Sequence, residues 1–454
     1  MSALELAAQV RAGEVSWREL AEAHLERIGA DELNAFTYVA DEPEPPVEDA
    51  PFTGVPIAIK DLNDVAGMPT TYSCKAYAHN VARVDAAVTR RIREAGFVIL
   101  GKTNTPEFGT IAHTESELNG ATHNPWDVTS TPGGSSGGGA AAVAAGLLPV
   151  AHASDGGGSI RVPASCCGLV GIKPSRGRVS PAPYVSGSLG LGTSGPLART
   201  VRDAAALLDV VRGYEPGDMF VAPLPDRPYL EECEEPAGSL RIAVTTTPPS
   251  SVPVDAECVA ALESAAVLLQ ELGHEVVEAT PPWAVDEMIL HFIRVWQVGP
   301  ATAGVDDLSL LEPINRALAG QARATPSPEY VAAVMQLQAI ARRVVAFWDE
   351  VDVVVTPTLA LPPTPIGWTF EETDGDPIAA FMRQTLWTPF TPLVNVTGQP
   401  AMSVPLSWSA SGLPVGVQLI GRPFDEASLV RLTAQLEAAR PWSGRFPSGF
   451  LGNS

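Results

Sequence analysis

The stretch "STPGGSSGGGAAAVAAGLLPVAHASDGGGSIRVPASCCG", Ser130 to Gly168, contains two Gly/Ser runs a short distance apart, Gly133 to Gly139 and Gly156 to Ser159. Runs of this composition usually make flexible linkers. Between them "GAAAVAAGL" (139–147) reads as an Ala-rich helix. The pair of runs is therefore either a hinge between domains or two places where backbone must come close to something reactive.

Outward from this stretch, short apolar runs alternate with helical patterns. "GVPIAIKD" (54–61) reads as a strand with Lys60 at its end, 85–96 as a helix, "FVILGK" (97–102) and "LVGIK" (169–173) as strands. Residues 1–30 read as helical, with Ser16-Trp-Arg-Glu19 as a capping box. After a capped helix from Thr200 to Val211, "RIAV" (241–244), a helix over about 255–272 and "HEVVE" (274–278) form a β-α-β pattern. Residues 285–350 are mainly helical. "DVVVTPT" (352–358), "AMSVPL" (401–406) and "PVGVQLI" (414–420) are strands, and a last helix runs from about Glu426 to Ala438. This alternation predicts a layered α/β fold. The Pro-rich pieces at 41–51, 221–237 and 357–366 are loops of modest length, and no internal repeat is visible. One large domain over 1–454 is expected, with about 215–350 as a more variable, largely helical part.

Composition narrows the function classes. The formal net charge of −23 repels phosphate backbones, so a nucleic-acid partner is not expected. The five cysteines (Cys74, Cys166, Cys167, Cys233 and Cys258) are odd in number and irregular in spacing, without a metal-binding pattern. They read as reduced thiols of a cytoplasmic protein, with no metal and no cofactor. The N-terminus has acids where a signal peptide needs a cationic and then an apolar region. The longest apolar run, Ala140 to Ala153, is interrupted by Gly146, Pro149 and His152 and is too short to span a bilayer, so no membrane partner is expected. Asn395-Val396-Thr397 matches a glycosylation acceptor, which means little without secretion. Four lysines (Lys60, Lys75, Lys102 and Lys173) stand against 25 arginines, so a specific task for each lysine is worth testing.

Three motif matches fail on context. Gly96 to Thr103 fits GxxxxGK[ST], but its variable residues are Phe, Val, Ile and Leu, the strand itself, and a proline follows at once. Gly190 to Gly195 fits GxGxxG without a strand before it or a helix directly after it, and reads as a substrate-side or structural loop. Gly133 to Gly137 fits GxSxG, but "VTSTP" is a poor strand, and none of the seven histidines (His24, His79, His113, His123, His152, His274 and His291) stands in a suggestive context for a Ser-His-Asp triad.

Three elements taken together remain: Lys60 after "GVPIAI", Ser135 in "GGSSGG" and Ser159 in "DGGGSIR". Their combination, order and spacing resemble the amidase signature family, whose members hydrolyse amides with a Ser-cisSer-Lys triad. The resemblance extends over nearly the whole chain, through "AGFVILGKTNTPEF", "NPWD", "GLVGIKPSRGRVS", "GPLARTVRDAAALLD", "NVTGQPAMSVPL" and "PVGVQLIGRPFDE". It implies a single α/β domain with a central mixed, twisted sheet covered by helices on both faces. It implies Ser159 as nucleophile, Lys60 as base, and Ser135 as proton relay behind a cis Gly134–Ser135 peptide. Gly156, Gly157, Gly158 and Ser159 would supply oxyanion-hole N–H groups, and Asp155 and Arg161 would support the loop. The chemistry suits these roles. A serine needs a base to become nucleophilic. A lysine can be that base once desolvation lowers its pKa. Tightly turning glycines can converge N–H groups on one oxygen.

Taken singly, each residue has an ordinary reading: a surface lysine at a strand end, loop serines, an Asp–Arg ion pair, and Cys166 and Cys167 as core. One departure is visible. Many family members read Gly-Thr-Asp and then a bulkier residue, where this chain has Ala153-Ser154-Asp155-Gly156, so a more flexible loop is expected and no side chain at 156 shapes the acyl pocket. Within the family, the blocks look most like those of hydrolases that open cyclic diamides, implying a stand-alone amidase for a linear or cyclic carboxamide. Phe292, Trp296, Met335 and Trp387 are the apolar residues expected to line its specificity pocket, unless they are ordinary core. A glutaminase subunit of a tRNA-dependent amidotransferase is the alternative, and a binding protein that kept the fold without catalysis is another. A homodimer stays open.

Overall fold

A small three-stranded sheet and a large eight-stranded sheet meet beside the Ser130–Gly168 stretch in the computed structural model, which describes residues 2–184, 189–283 and 287–450. The small sheet has the order β1-β3-β2, with β1 at Phe36–Val39, β2 at Pro56–Lys60 and β3 at Val98–Thr103. β2 and β3 run parallel, and β1 is antiparallel to β3. The apolar residues of "PIAIK" and "VILGKT" are fully enclosed, and each buried Ile or Val contributes roughly 1.5–3 kcal/mol. Gly101 lets β1 cross closely, since a Cβ there would lie 2.1 Å from the Tyr38 carbonyl oxygen.

The large sheet holds β4 (Val150–Asp155), β5 (Val170–Lys173), β6 (Thr193–Ala198), β7 (Arg241–Val244), β8 (Glu275–Glu278), β9 (Val353–Pro357), β10 (Ala401–Trp408) and β11 (Pro414–Ile420). Its order is β4-β6-β5-β10-β11-β9-β7-β8. The β4 to β9 end is antiparallel, while β9, β7 and β8 are parallel, so the sheet is mixed. The helix Ala256–Glu271 joins parallel β7 and β8, as the β-α-β pattern predicts. On one face Met402, Val404, Leu406, Val415, Val417 and Leu419 pack with the helices Val201–Val211, Ala256–Glu271 and Glu426–Ala439 in one apolar core. On the other face lies the short helix Arg161–Cys167. It approaches so closely that a Cβ at Gly416 would stand 2.6 Å from the Ser165 hydroxyl oxygen. Helices thus cover both faces, as expected.

Several elements differ from the sequence reading. The N-terminal helical region is two helices, Ala3–Ala12 and Trp17–Gly29, broken at Gly13, whose φ is 71°. The expected central sheet is accompanied by the second, smaller one. β4 and β6 escape sequence detection because "VAHASD" and "TSGPLA" lack a β-branched run, and proline and glycine interrupt the latter. The P-loop match is the turn at Gly96 followed by β3. One helical run, Ser327–Asp349, is long and apolar enough by composition to cross a membrane; its Ala333, Leu337, Ile340 and Val344 are buried in the protein at helical spacing.

Candidate active site

The first glycine run is tightly packed backbone. A Cβ on Gly138 would come within 2.4 Å of the Ala35 oxygen and the Asn104 nitrogen, and one on Gly134 within 2.7 Å of the His113 carbonyl carbon. The Gly134–Ser135 peptide is cis. The run turns directly into the helix Gly137–Ala144, every residue of which is buried. β4 then carries the chain to Asp155 and the second glycine run, and the helix Arg161–Cys167 leads away. The two runs are tied together where the Ser136 N–H donates to the Ser159 carbonyl at 3.3 Å.

Lys60 reaches this junction from the C-terminal end of β2. Its ammonium donates to Ser135 Oγ at 2.7 Å, to Ser154 Oγ at 3.1 Å and to the Ser154 carbonyl at 3.4 Å. The lysine is fully buried, and desolvation lowers its pKa to about 7 against the opposing pull of Asp155. Lys173 is also buried and lowered to about 7, chiefly by desolvation, but its ammonium donates to the Pro174 carbonyl. Lys102 is buried too and is ion-paired to Asp61 at 3.0 Å. Only Lys75 is exposed, pairing with Glu117 at 2.5 Å. What distinguishes Lys60 is therefore its serine partner, rather than its depressed pKa.

Ser159 lies at the wall of a cleft that opens to solvent. Ser135 is buried behind it. No hydrogen bond joins the two hydroxyls in this structure, so the relay is half assembled: Lys60 holds Ser135, and Ser159 faces the cleft. Catalytic hydrogen bonds often close only around substrate.

The glycine loop is anchored by one buried carboxylate. Asp155 accepts from Arg161 Nε and Nη2, each at 2.9 Å, from the Gly158 N–H at 2.8 Å, from the Ile160 N–H at 3.2 Å and from Asn395 Nδ2 at 2.9 Å. Burial alone would raise its pKa, but the Arg161 guanidinium holds it well below the usual carboxylate range. Arg161 also donates to Gln418 Oε1 and Asn395 Oδ1, both at 2.7 Å. Replacing Arg161 with methionine is expected to cost about 3–5 kcal/mol, because it leaves a buried charge unpaired. Arg161→Lys is not expected to restore a two-pronged contact. Denaturant midpoints check both.

These contacts correct three expectations. The Gly158 N–H is committed to Asp155, so it is not free to face an oxyanion; the N–H groups of Gly156, Gly157 and Ser159 have no acceptor among the described residues. Met335 is exposed on the outer face of its helix, and Trp387 is wholly buried against His113, away from the cleft that Phe292 and Trp296 do line. The loop around Gly156 is clamped, and the space that a larger residue would take there is filled by Trp296. Three supporting residues escaped the sequence reading: Ser154 on Lys60, and Asn395 and Gln418 on the Asp155–Arg161 pair. Asn395 was visible only as a glycosylation match and as the first residue of the "NVTGQPAMSVPL" block, with no role attached; its amide is buried and bonded to Asp155 and Leu191. The GxGxxG stretch is a structural loop feeding β6, with the Leu191 carbonyl resting on Asn395.

Comparison with known proteins agrees with this geometry. A family model described as Amidase matches residues 30–430. The 6-aminohexanoate-cyclic-dimer hydrolases of Pseudomonas sp. (strain NK87) and Paenarthrobacter ureafaciens are each 40% identical over 470 residues, covering 96% of this chain and 94% of theirs. A structure of 6-aminohexanoate cyclic dimer hydrolase complexed with substrate superposes with a TM-score of 0.92 at 37% identity, covering 99% of this chain and 98% of that one.

Proposed function

Because the chain belongs to the amidase signature family, a hydrolase family acting on carbon–nitrogen bonds other than peptide bonds, we propose that it works as a stand-alone amidase through an acyl-enzyme on Ser159. The observation that carries this reading is the buried Lys60 amine, 2.7 Å from Ser135 Oγ and titrating near neutrality, directly behind a serine that faces an open cleft.

In its neutral form Lys60 accepts the proton of Ser135, which takes that of Ser159. The Ser159 oxygen then forms a bond to the amide carbon, and the carbonyl π electrons move onto oxygen. The N–H groups of Gly157 and Ser159, with Gly156 beside them, are the free donors for that oxyanion; losing one such donor costs roughly 3 kcal/mol of barrier. Gly158, held by Asp155, fixes the curvature of the loop. As the carbon–nitrogen bond breaks, the proton returns through Ser135 to the departing amine. Water, deprotonated by the same pair, releases the acid.

The named relatives support a small carboxamide, linear or cyclic, as substrate. Five free thiols, none of them paired, support a cytoplasmic site of action. A glutaminase subunit would need its partners for activity, so turnover of an amide by the purified lone chain separates the two readings. A fluorophosphonate probe is expected to label the chain once, and peptide mapping to place the adduct on Ser159. Labelling elsewhere, or none, overturns the assignment.

A further inference from the structure

A helix lies against Gly156, leaving no room there for a side chain, and reaches Gly157 at ordinary contact distance. A Cβ on Gly156 would be 2.8 Å from Cζ3 and Cη2 of Trp296, and one on Gly157 would be 3.4 Å from Cζ of Phe292. Phe292 and Trp296 stand four residues apart on the helix Glu287–Trp296, and their rings stack with centroids 5.3 Å apart and 20° between planes. Met288, one further turn back, lines the same cleft. Trp296 is pinned by its indole N–H, which donates to the Thr110 carbonyl at 3.2 Å.

The rest of the lining completes an uncharged chamber. Among the described residues, no Asp, Glu, Lys, Arg or His borders the cleft. Its polar side chains are largely occupied. Gln384 accepts from the Ala112 N–H and donates to the Phe381 carbonyl, Thr388 donates to the Gln384 carbonyl, and Thr385 to the Met382 carbonyl. A carboxylate or ammonium entering here gives up its hydration and meets no counter-charge among the described lining residues.

Resting on the reading of Ser159 as nucleophile, we propose that the Met288–Phe292–Trp296 stripe, seated on the two glycines, selects amides with no charge near the scissile bond, and that Trp296 sets their bulk. Substrates are recognised by apolar contact and shape. The α-ammonium and α-carboxylate of an amino-acid amide are what this lining refuses.

The test uses the full chain and a matched chromogenic series: the 4-nitroanilides of hexanoic acid, 2-aminohexanoic acid and butylmalonic acid (as monoanilide). The neutral compound is expected to exceed both charged ones in kcat/KM by roughly 100-fold or more, the order of penalty for an unpaired buried charge. In Trp296→Leu, the ratio of kcat/KM for a branched-acyl anilide to that for the hexanoyl anilide is expected to rise about tenfold. Turnover of either charged compound within threefold of the neutral one, or an unchanged bulk preference in Trp296→Leu, overturns the proposal. A binding arm separates it from the catalytic reading: calorimetry on Ser159→Ala is expected to detect the neutral anilide and neither charged one, whichever residue is the nucleophile. Equal binding of all three overturns the proposal even if Ser159 proves catalytic.

Discussion

Replacing Ser159 with alanine is expected to lower kcat for amide hydrolysis by roughly 10⁴-fold or more, the scale seen when a nucleophile is removed from a serine hydrolase. The change removes one oxygen from the cleft wall, in a residue whose backbone carbonyl already holds Ser136. The fold is therefore expected to persist, with an unchanged denaturant midpoint. Any residual rate should come from the loop N–H groups and from binding alone. Alanine retaining more than about a tenth of the activity would move the nucleophile elsewhere. Ser135 would be the alternative, but it is buried and already bonded to Lys60.

Replacing Lys60 with methionine is the second large effect. It keeps the length of the chain and deletes the base, and general-base losses run roughly 10²- to 10⁴-fold. In the unaltered protein, kcat/KM is expected to rise with pH through about 7, as Lys60 loses its proton. That rise should vanish in Lys60→Met and survive in Lys173→Met, although Lys173 is lowered to a similar value. Stability should move the other way. Burial makes the folded protein bind the lysine proton less readily than the unfolded chain does. The resulting penalty is absent above about 10.5, grows as pH falls, and is complete below about 7. Lys60→Met is therefore expected to be at least as stable as the parent at pH 6, with the difference shrinking toward pH 10. Thermal unfolding at the two pH values checks the sign. A destabilised, active variant would contradict both statements.

The local elements were legible where period and composition coincide. Lys60 closes an apolar strand, "AMSVPL" and "PVGVQLI" pair in the sheet, and the β7-helix-β8 unit follows its pattern. β4 was not legible, although it carries Ser154 and Asp155 to the site, because "VAHASD" has no β-branched run to mark it as a strand. The same holds for the partners of Arg161. Asn395, on the helix Pro392–Thr397, and Gln418, on β11, lie more than 230 residues away in the chain and meet it only in the folded protein. The glycine runs were readable as a close approach, but not what approaches. Trp296 on Gly156 is a contact between distant segments, and no local pattern announces it. Met335 and Trp387 look equally suitable by residue type, and only the orientation of their elements separates them from Phe292 and Trp296.

Three of the four lysines are sealed inside the protein, leaving Lys75 as the single described lysine that solvent can reach. The outer positive charge is carried by arginine, which keeps its proton far into alkaline solution. Amine-directed reagents therefore meet a nearly blank surface. Coupling to an activated support through a lysine side chain falls on Lys75. Cyanate or an anhydride, which would scatter adducts over an ordinary lysine-rich coat, finds one exposed lysine side chain, Lys75, while Lys60 is fully buried.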